Sequence, residues 1–391
     1  MNPETTVYLD FNATTPVDQE VLDAMLPYFT KTFANASSAL HIPGREAARA
    51  VAHARETIAG FIDCEPNEFI FTSGSTESIN LAIKGAVNAY SGKGRHIITW
   101  NTEHKAVLDV LASLGRKGVE VTILPVNRSG EAELVTFSKS IRPDTILACM
   151  MLANNETGFI HPVREFSDIA RAHGCLFFCD ATQAPGKLRI DVQELGVDLI
   201  CLSAHKMYGP KGCGGLFVRR KNPRVKLEPL IEGGGHEKGL RSGTLNVPGI
   251  VGFAAAAKLC NEKFWDDTSR MSQLRTLLEQ QLTDNGLGYV NGSVKNRLPN
   301  TSSICFPGTR ASSLLASVPG IALSAGSACS SALPEPSHVL LAMGLTKEDA
   351  LASVRFSLGR STTIEEINQV VQVMKKAVAS ERSGYRQHII H

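Results

Sequence analysis

The 391-residue sequence has almost no charge imbalance, few aromatic residues (6%) and no long apolar run. Lys and Arg total 40 against 38 Asp and Glu, so the net charge of +2 creates no global field for nucleic acid or an anionic membrane. Neither is expected as a direct partner. The longest uncharged stretch, residues 311–334, contains seven Ser, two Gly and two Pro. It is too polar and too interrupted for the roughly 20 predominantly apolar residues of a membrane helix and reads as loop and short elements. The N-terminus, MNPETTVYLDFNATTP, lacks a basic region followed by an apolar core, so no secretory signal is expected. Nine irregularly spaced cysteines form neither a dense disulfide framework nor paired metal-ligand spacings. Reduced thiols in a cytoplasm-like compartment, and no metal site, are the expectation.

Between about residues 67 and 220, short β-rich runs alternate with helical patterns, the signature of βα units around a mainly parallel sheet. The strand candidates are Glu68–Thr72, His96–Trp100, Val119–Leu124, Thr145–Leu152, Cys175–Asp180, Asp198–Ser203 and Gly215–Arg219. A small-residue helix near Pro248–Leu259 follows, then a long polar helix around Asp267–Leu282, short strands and a closing helix at Thr363–Ala379. These shifts divide the chain into a large α/β domain at 15–260 and a smaller α+β domain formed by 1–14 and 261–391.

The polar signals lie just after strands, where ligands bind in open α/β sheets. Ser73-Gly-Ser-Thr precedes a helix, so Ser75 and Thr76 are candidates to hold a phosphate at a helix N-terminus; simple capping explains the same residues. Asp180 ends an apolar strand and needs a cationic partner, either a protonated heterocyclic nitrogen or a structural counter-ion. Gln183, three residues on, is placed to bond a ring substituent. Lys206 sits in the tight segment Ser203-Ala-His-Lys, at the same sheet edge as Asp180. A lysine, an acid and a phosphate cup in this order suit pyridoxal phosphate, whose aldehyde forms a Schiff base with a lysine. His104 is a candidate to stack on the cofactor and move protons, or a satisfied loop histidine. Asn154-Asn155-Glu-Thr-Gly reads as a turn or as contacts to cofactor and substrate.

Eight blocks in order resemble the NifS/IscS-type cysteine desulfurases, in the class V branch of the aspartate-aminotransferase-like fold of pyridoxal phosphate enzymes. They are Tyr8-Leu-Asp-Phe-Asn-Ala-Thr-Thr-Pro, Phe71-Thr-Ser-Gly-Ser-Thr-Glu-Ser, Asn154-Asn-Glu-Thr-Gly, Asp180-Ala-Thr-Gln, Ser203-Ala-His-Lys, Arg241-Ser-Gly-Thr, Ser324-Ala-Gly-Ser-Ala-Cys-Ser-Ser and Val354-Arg-Phe-Ser-Leu-Gly-Arg. The resemblance implies that Lys206 carries the cofactor and moves the substrate's α-proton, with His104 stacked on the ring. Asp180 would keep the ring nitrogen protonated, Asn155 and Gln183 would contact ring or substrate, and Ser75, Thr76, Ser203 and His205 would bind phosphate. Thr244 would complete the phosphate cup of a neighbouring subunit in a homodimer, and Arg355 would grip the substrate carboxylate.

Cys329 would attack the sulfur of L-cysteine and carry it as a persulfide to an acceptor, such as an iron–sulfur scaffold or a tRNA- or DNA-thiolation protein, with alanine released. Cys149, Cys175, Cys179 and Cys201 lie within strands and are expected in the core. The sequence departs from the family at Asn35-Ala-Ser-Ser, which lacks the usual proline, and at Ala325, where serine is common. About 30 residues follow Arg360, fewer than in the scaffold-docking tail of IscS-type enzymes. Selenocysteine lyase is the nearest alternative; a transaminase has no use for a thiol loop, and a non-catalytic subunit has none for Lys206, Asp180 and Cys329 together.

Overall fold

A computed structural model describes residues 6–325 and 335–388, with side chains to residue 383; Cys329 lies outside the described residues. Twelve strands are described: β1 Val7–Tyr8, β2 Phe69–Thr72, β3 His96–Trp100, β4 Glu120–Leu124, β5 Thr145–Met151, β6 Leu176–Asp180, β7 Leu199–Ser203, β8 Gly214–Val218, β9 Tyr289–Val290, β10 Thr301–Cys305, β11 Ile321–Ala322 and β12 Ser353–Ser357. Seven form one sheet in the order β2-β8-β7-β6-β5-β3-β4. All its pairings are parallel except those of β8, which runs against β2 and β7. That reversal follows from the connection: residues 204–213 between β7 and β8 are too few for the crossover of a dozen or more residues that a parallel pair needs.

Both faces of this sheet are covered, so its central strands are buried along their whole length. Alternate residues serve opposite cores. Ala148, Met150, Phe177 and Cys179 pack with the helices Ile42–Phe61, Val163–Ala172 and Val247–Glu262. Leu147, Cys149, Phe178 and Cys201 pack with the helices Ser75–Ala89 and Lys105–Gly115. The four strand-region cysteines expected in the core are there, with Cys175 and Cys179 in the same cluster.

A third core lies under the antiparallel sheet β12-β10-β9. Leu274, Leu278 and Leu282 face it at four-residue spacing from the helix Phe264–Thr283, as do Ile367, Val370, Val371, Met374 and Val378 from the last helix. Val7 and Leu9 join this core, and β1 pairs in parallel with β11. The last helix spans Ile364–His388, well beyond the expected end at Ala379. Arg382 secures the extension by donating to the carbonyls of Pro307 and Leu287. Residues 311–325 contain the short helix Ala311–Ser317 and β11, in keeping with a run that cannot cross a membrane. Among the described residues no helix is long and apolar enough to do so.

Candidate active site

The carboxyl ends of β2, β3, β5, β6 and β7 open onto one cavity of about 620 Å³, a volume suited to a small organic ligand. Ser75, Thr76, His104, Asn155 and Asp180 line it, as do Gln183, Ser203, His205, Lys206 and Arg355. Ten of the twelve site residues expected from sequence are thus brought together from six separate stretches of chain. Thr244 is exposed and does not line this cavity. Cys329 lies outside the described residues.

Lys206 ends a short 3-10 turn, Ala204–Lys206, directly after β7. Its Nζ donates to the carbonyls of Asn12 at 2.5 Å and Ala13 at 2.8 Å. Burial and then the Arg355 charge lower its pKa to about 8, so a substantial neutral fraction exists near physiological pH. Asp180 is buried at the end of β6, and its Oδ1 accepts from the Thr182 N–H at 2.9 Å, the Thr182 hydroxyl and the Cys201 thiol at 3.3 Å. The other carboxylate oxygen has no partner among the described residues, which suits a protonated ring nitrogen.

Gly74, not a serine, occupies the N-cap of the helix Ser75–Ala89, and no side chain among the described residues caps it. Gly74 has φ 148 and ψ −179, a conformation open essentially to glycine alone. Ser75 and Thr76 therefore begin the helix, and their first-turn position carries the positive end of its dipole. Ser203 Oγ lies close by, 3.6 Å from where a Cβ on Gly74 would stand. Glu77 would repel an anion here, but Arg241 pairs with it at 3.0 Å. The turn at Asn154-Asn155 serves both expected readings: Asn154 Oδ1 accepts the N–H groups of Glu156 and Thr157, and Asn155 faces the cavity.

His104 N-caps the helix Lys105–Gly115, its Nδ1 accepting the Ala106 N–H at 3.1 Å. Burial first, and the Lys206 charge among the cations, lower its pKa, so the neutral ring carries its proton on Nε2. His205 is lowered further, to about 4, by burial and by Lys206; its Nδ1 lies 3.1 Å from the Thr14 hydroxyl. Arg355 is buried on β12, its Nη2 2.6 Å from Asp10 Oδ1 and its Nη1 3.1 Å from the Asn155 carbonyl. Among the described residues its Nε atom has no hydrogen-bond partner.

Sequence reasoning missed Asn12, Ala13, Thr182 and His338, which also line the cavity. Asn12 and Ala13 act on Lys206 through backbone carbonyls, which carry no residue signature. Thr182 was discernible, since a hydroxyl two residues after Asp180 can return to its carboxylate; with its one hydrogen on that carboxylate, its oxygen accepts from the Ser75 hydroxyl, 2.7 Å away.

Residues 7–370 match the family described as aminotransferase class-V. The chain belongs to this family, and its fold is that of the class V pyridoxal phosphate enzymes, as the sequence motifs implied. Among curated proteins it is 50% identical over 378 residues to cysteine desulfurase IscS of Anaeromyxobacter sp. (strain Fw109-5), covering 96% of this chain and 93% of that one. A solved NifS-like protein superimposes with a TM-score of 0.90 at 37% identity, covering 96% of this chain and 99% of its own. SspA, solved in complex with cysteine, matches with a TM-score of 0.80 at 35% identity over 92% of this chain and 100% of its own.

Proposed function

We propose that the protein is a pyridoxal-phosphate-dependent cysteine desulfurase. It takes sulfur from L-cysteine as a persulfide on Cys329, releases L-alanine and passes the sulfur to an acceptor protein. The observation that carries this reading is the convergence of Lys206, Asp180 and an uncapped helix N-terminus on one cavity, in a chain half identical to a named cysteine desulfurase.

The residues fit the cofactor in kind and position. Ser75, Thr76, Ser203 and His205 would hold its phosphate, Asp180 would meet the ring nitrogen, and Asn155 and Gln183 would contact the ring. When bound, the cofactor supplies an aldehyde for a lysine and a ring that withdraws electrons from the substrate. Lys206, depressed to about 8, supplies a neutral amine and then accepts the α-proton. The Nε2–H of His104 is placed to donate a hydrogen bond, since its Nδ1 is occupied. Arg355 binds the substrate carboxylate. Cys329 transfers no electrons to an outside acceptor: one cysteine and one thiol give one alanine and one persulfide.

The other eight cysteines suit structural roles. Burial pushes Cys149, Cys179 and Cys201 well above the ordinary thiol range, Cys64, Cys175 and Cys213 up to about 12, and Cys260 and Cys305 up to about 11. None lines the cavity.

A homodimer accords with the exposed apolar side chains of Leu26, Phe29, Phe33, Leu40 and Ile42. The bond of Ser37 to His236 links this segment to the glycine-rich stretch before Thr244. In such a dimer the Thr244 hydroxyl would serve the phosphate site of the partner subunit. Residues 15–260 form the large domain, and 1–14 with 261–391 the small one, which includes Cys329. The cytoplasm is the proposed location, and an iron–sulfur scaffold or a tRNA- or DNA-thiolation protein the acceptor. The test is reconstitution with pyridoxal phosphate and assay of alanine from L-cysteine with a thiol reductant; no alanine from a protein that has bound the cofactor overturns the reading.

A further inference from the structure

Lys187 lies in the turn after β6, buried to 7% exposure, although a lysine is rarely placed so deeply without a counter-ion. The turn is shaped for it. Gly186 has φ 71, and a Cβ there would stand 2.8 Å from Cys260 Sγ, so the chain passes close against the helix Val247–Glu262. Burial first, then the charges of Lys206 and Arg355, lower Lys187 to about 7 against a smaller opposing effect of Cys260, and among the described residues no carboxylate bears on it.

Its one side-chain hydrogen bond among the described residues goes to Gln183 Oε1 at 3.1 Å. On the other side, Gln183 Nε2 donates to the Asn12 carbonyl at 3.0 Å, the same oxygen that accepts from Lys206. A backbone carbonyl can only accept, and Lys187 in its protonated form can only donate. The two neighbours therefore admit one orientation of the amide, oxygen toward Lys187 and nitrogen toward Asn12. One Nε2–H is used on Asn12, and the second has no partner among the described residues, in a side chain that lines the cavity.

We propose that Lys187 is a positioning residue: by locking the Gln183 amide, it makes Gln183 a hydrogen-bond donor toward an anionic ring oxygen of the cofactor. The proposal rests on the cofactor reading given above. A donor at that oxygen favours the deprotonated, anionic form of the lysine-bound cofactor. Losing the donor raises the pH at which the protonated, visibly absorbing form of the lysine-bound cofactor gives up its proton.

The test is titration of this band in the reconstituted holoenzyme. Lys187→Met is expected to raise its midpoint by about one pH unit, the scale of one hydrogen bond to a charged group. Lys187→Gln, which keeps an N–H donor without the charge, should stay near the wild-type midpoint. In a Gln183→Leu background, itself raised, Lys187→Met should add nothing. An unchanged midpoint in Lys187→Met overturns the proposal, as does an equal further rise in the Gln183→Leu background, which would mean that Lys187 acts by charge alone. If Lys187→Met does not fold, Lys187→Gln decides: a wild-type midpoint supports the lock, and one raised like that of Gln183→Leu defeats it. A wild-type protein showing no visible band with pyridoxal phosphate refutes the cofactor reading itself, a separate outcome.

Discussion

Arg355 Nη2 and Asp10 Oδ1 stand 2.6 Å apart, although 345 residues separate them in the chain. The guanidinium proposed to receive the substrate carboxylate thus already has a carboxylate on one edge. A substrate must share the fork with Asp10 or displace it. Arg355→Lys loses the planar fork and should raise KM for L-cysteine by about tenfold. Asp10→Asn removes the competing charge and should lower KM by about threefold, the scale of a partly exposed ion pair. Steady-state kinetics checks both; a KM that rises in Asp10→Asn would show that the pair orients Arg355 instead of competing for it.

As the proposed cofactor lysine, Lys206 would react with the aldehyde only as the neutral amine. With its pKa lowered to about 8 by burial and Arg355, the rate at which apoprotein takes up pyridoxal phosphate should climb through pH 8 and level above it. An unperturbed lysine would give a rate still rising past pH 10. Stopped-flow absorbance across pH 6.5–10.5, with Lys206→Ala as the blank, separates the two curves.

Cys329→Ser should bind pyridoxal phosphate with wild-type absorbance and release no alanine from L-cysteine. Turnover at the wild-type rate would remove Cys329 from the reaction. Alkylation of the resting enzyme followed by peptide mapping gives an independent check, because the eight other thiols are raised and mostly buried.

Glu237 is almost wholly enclosed and pairs with Arg55 through both oxygens, at 2.6 and 2.8 Å, while also accepting the Phe71 N–H at 2.7 Å. Arg55 in turn donates to the Phe69 carbonyl and lies 4.6 Å from the Phe71 ring centroid. Glu237→Ala strands the arginine and should cost about 3 kcal/mol of stability, read from denaturant unfolding of the holoenzyme. A loss under about 1 kcal/mol would show that water replaces the carboxylate there.

Much of the site was legible because the large sheet obeys a simple rule. Apolar β-rich runs mark the strands, and Ser75, His104, Asn155, Asp180 and Lys206 each fall within a few residues of a strand end. What escaped is of two physical kinds. Contacts through the backbone, such as the Asn12 carbonyl on Lys206, leave no trace in residue type. Lys187 escaped because its meaning lies in burial, and a lysine beside a glycine reads as an exposed turn until the helix Val247–Glu262 is packed over it. The N-cap of the phosphate-side helix was also open in the sequence: Ser73, Gly74 and Ser75 all serve as caps, and the φ of 148 at Gly74 decides among them.

The two carbonyls that hold Lys206 belong to residues 12 and 13, whose side chains take no part in that grip. Substitution at Ala13 should therefore be nearly silent, and a conventional mutational scan would pass over one of the groups nearest the reactive amine. Only a change to the main chain itself, such as an ester in place of the peptide bond that follows, alters the electron density on that oxygen. Here the catalytic environment is inherited through the path of the chain, and the amino-acid alphabet at Ala13 has little purchase on it.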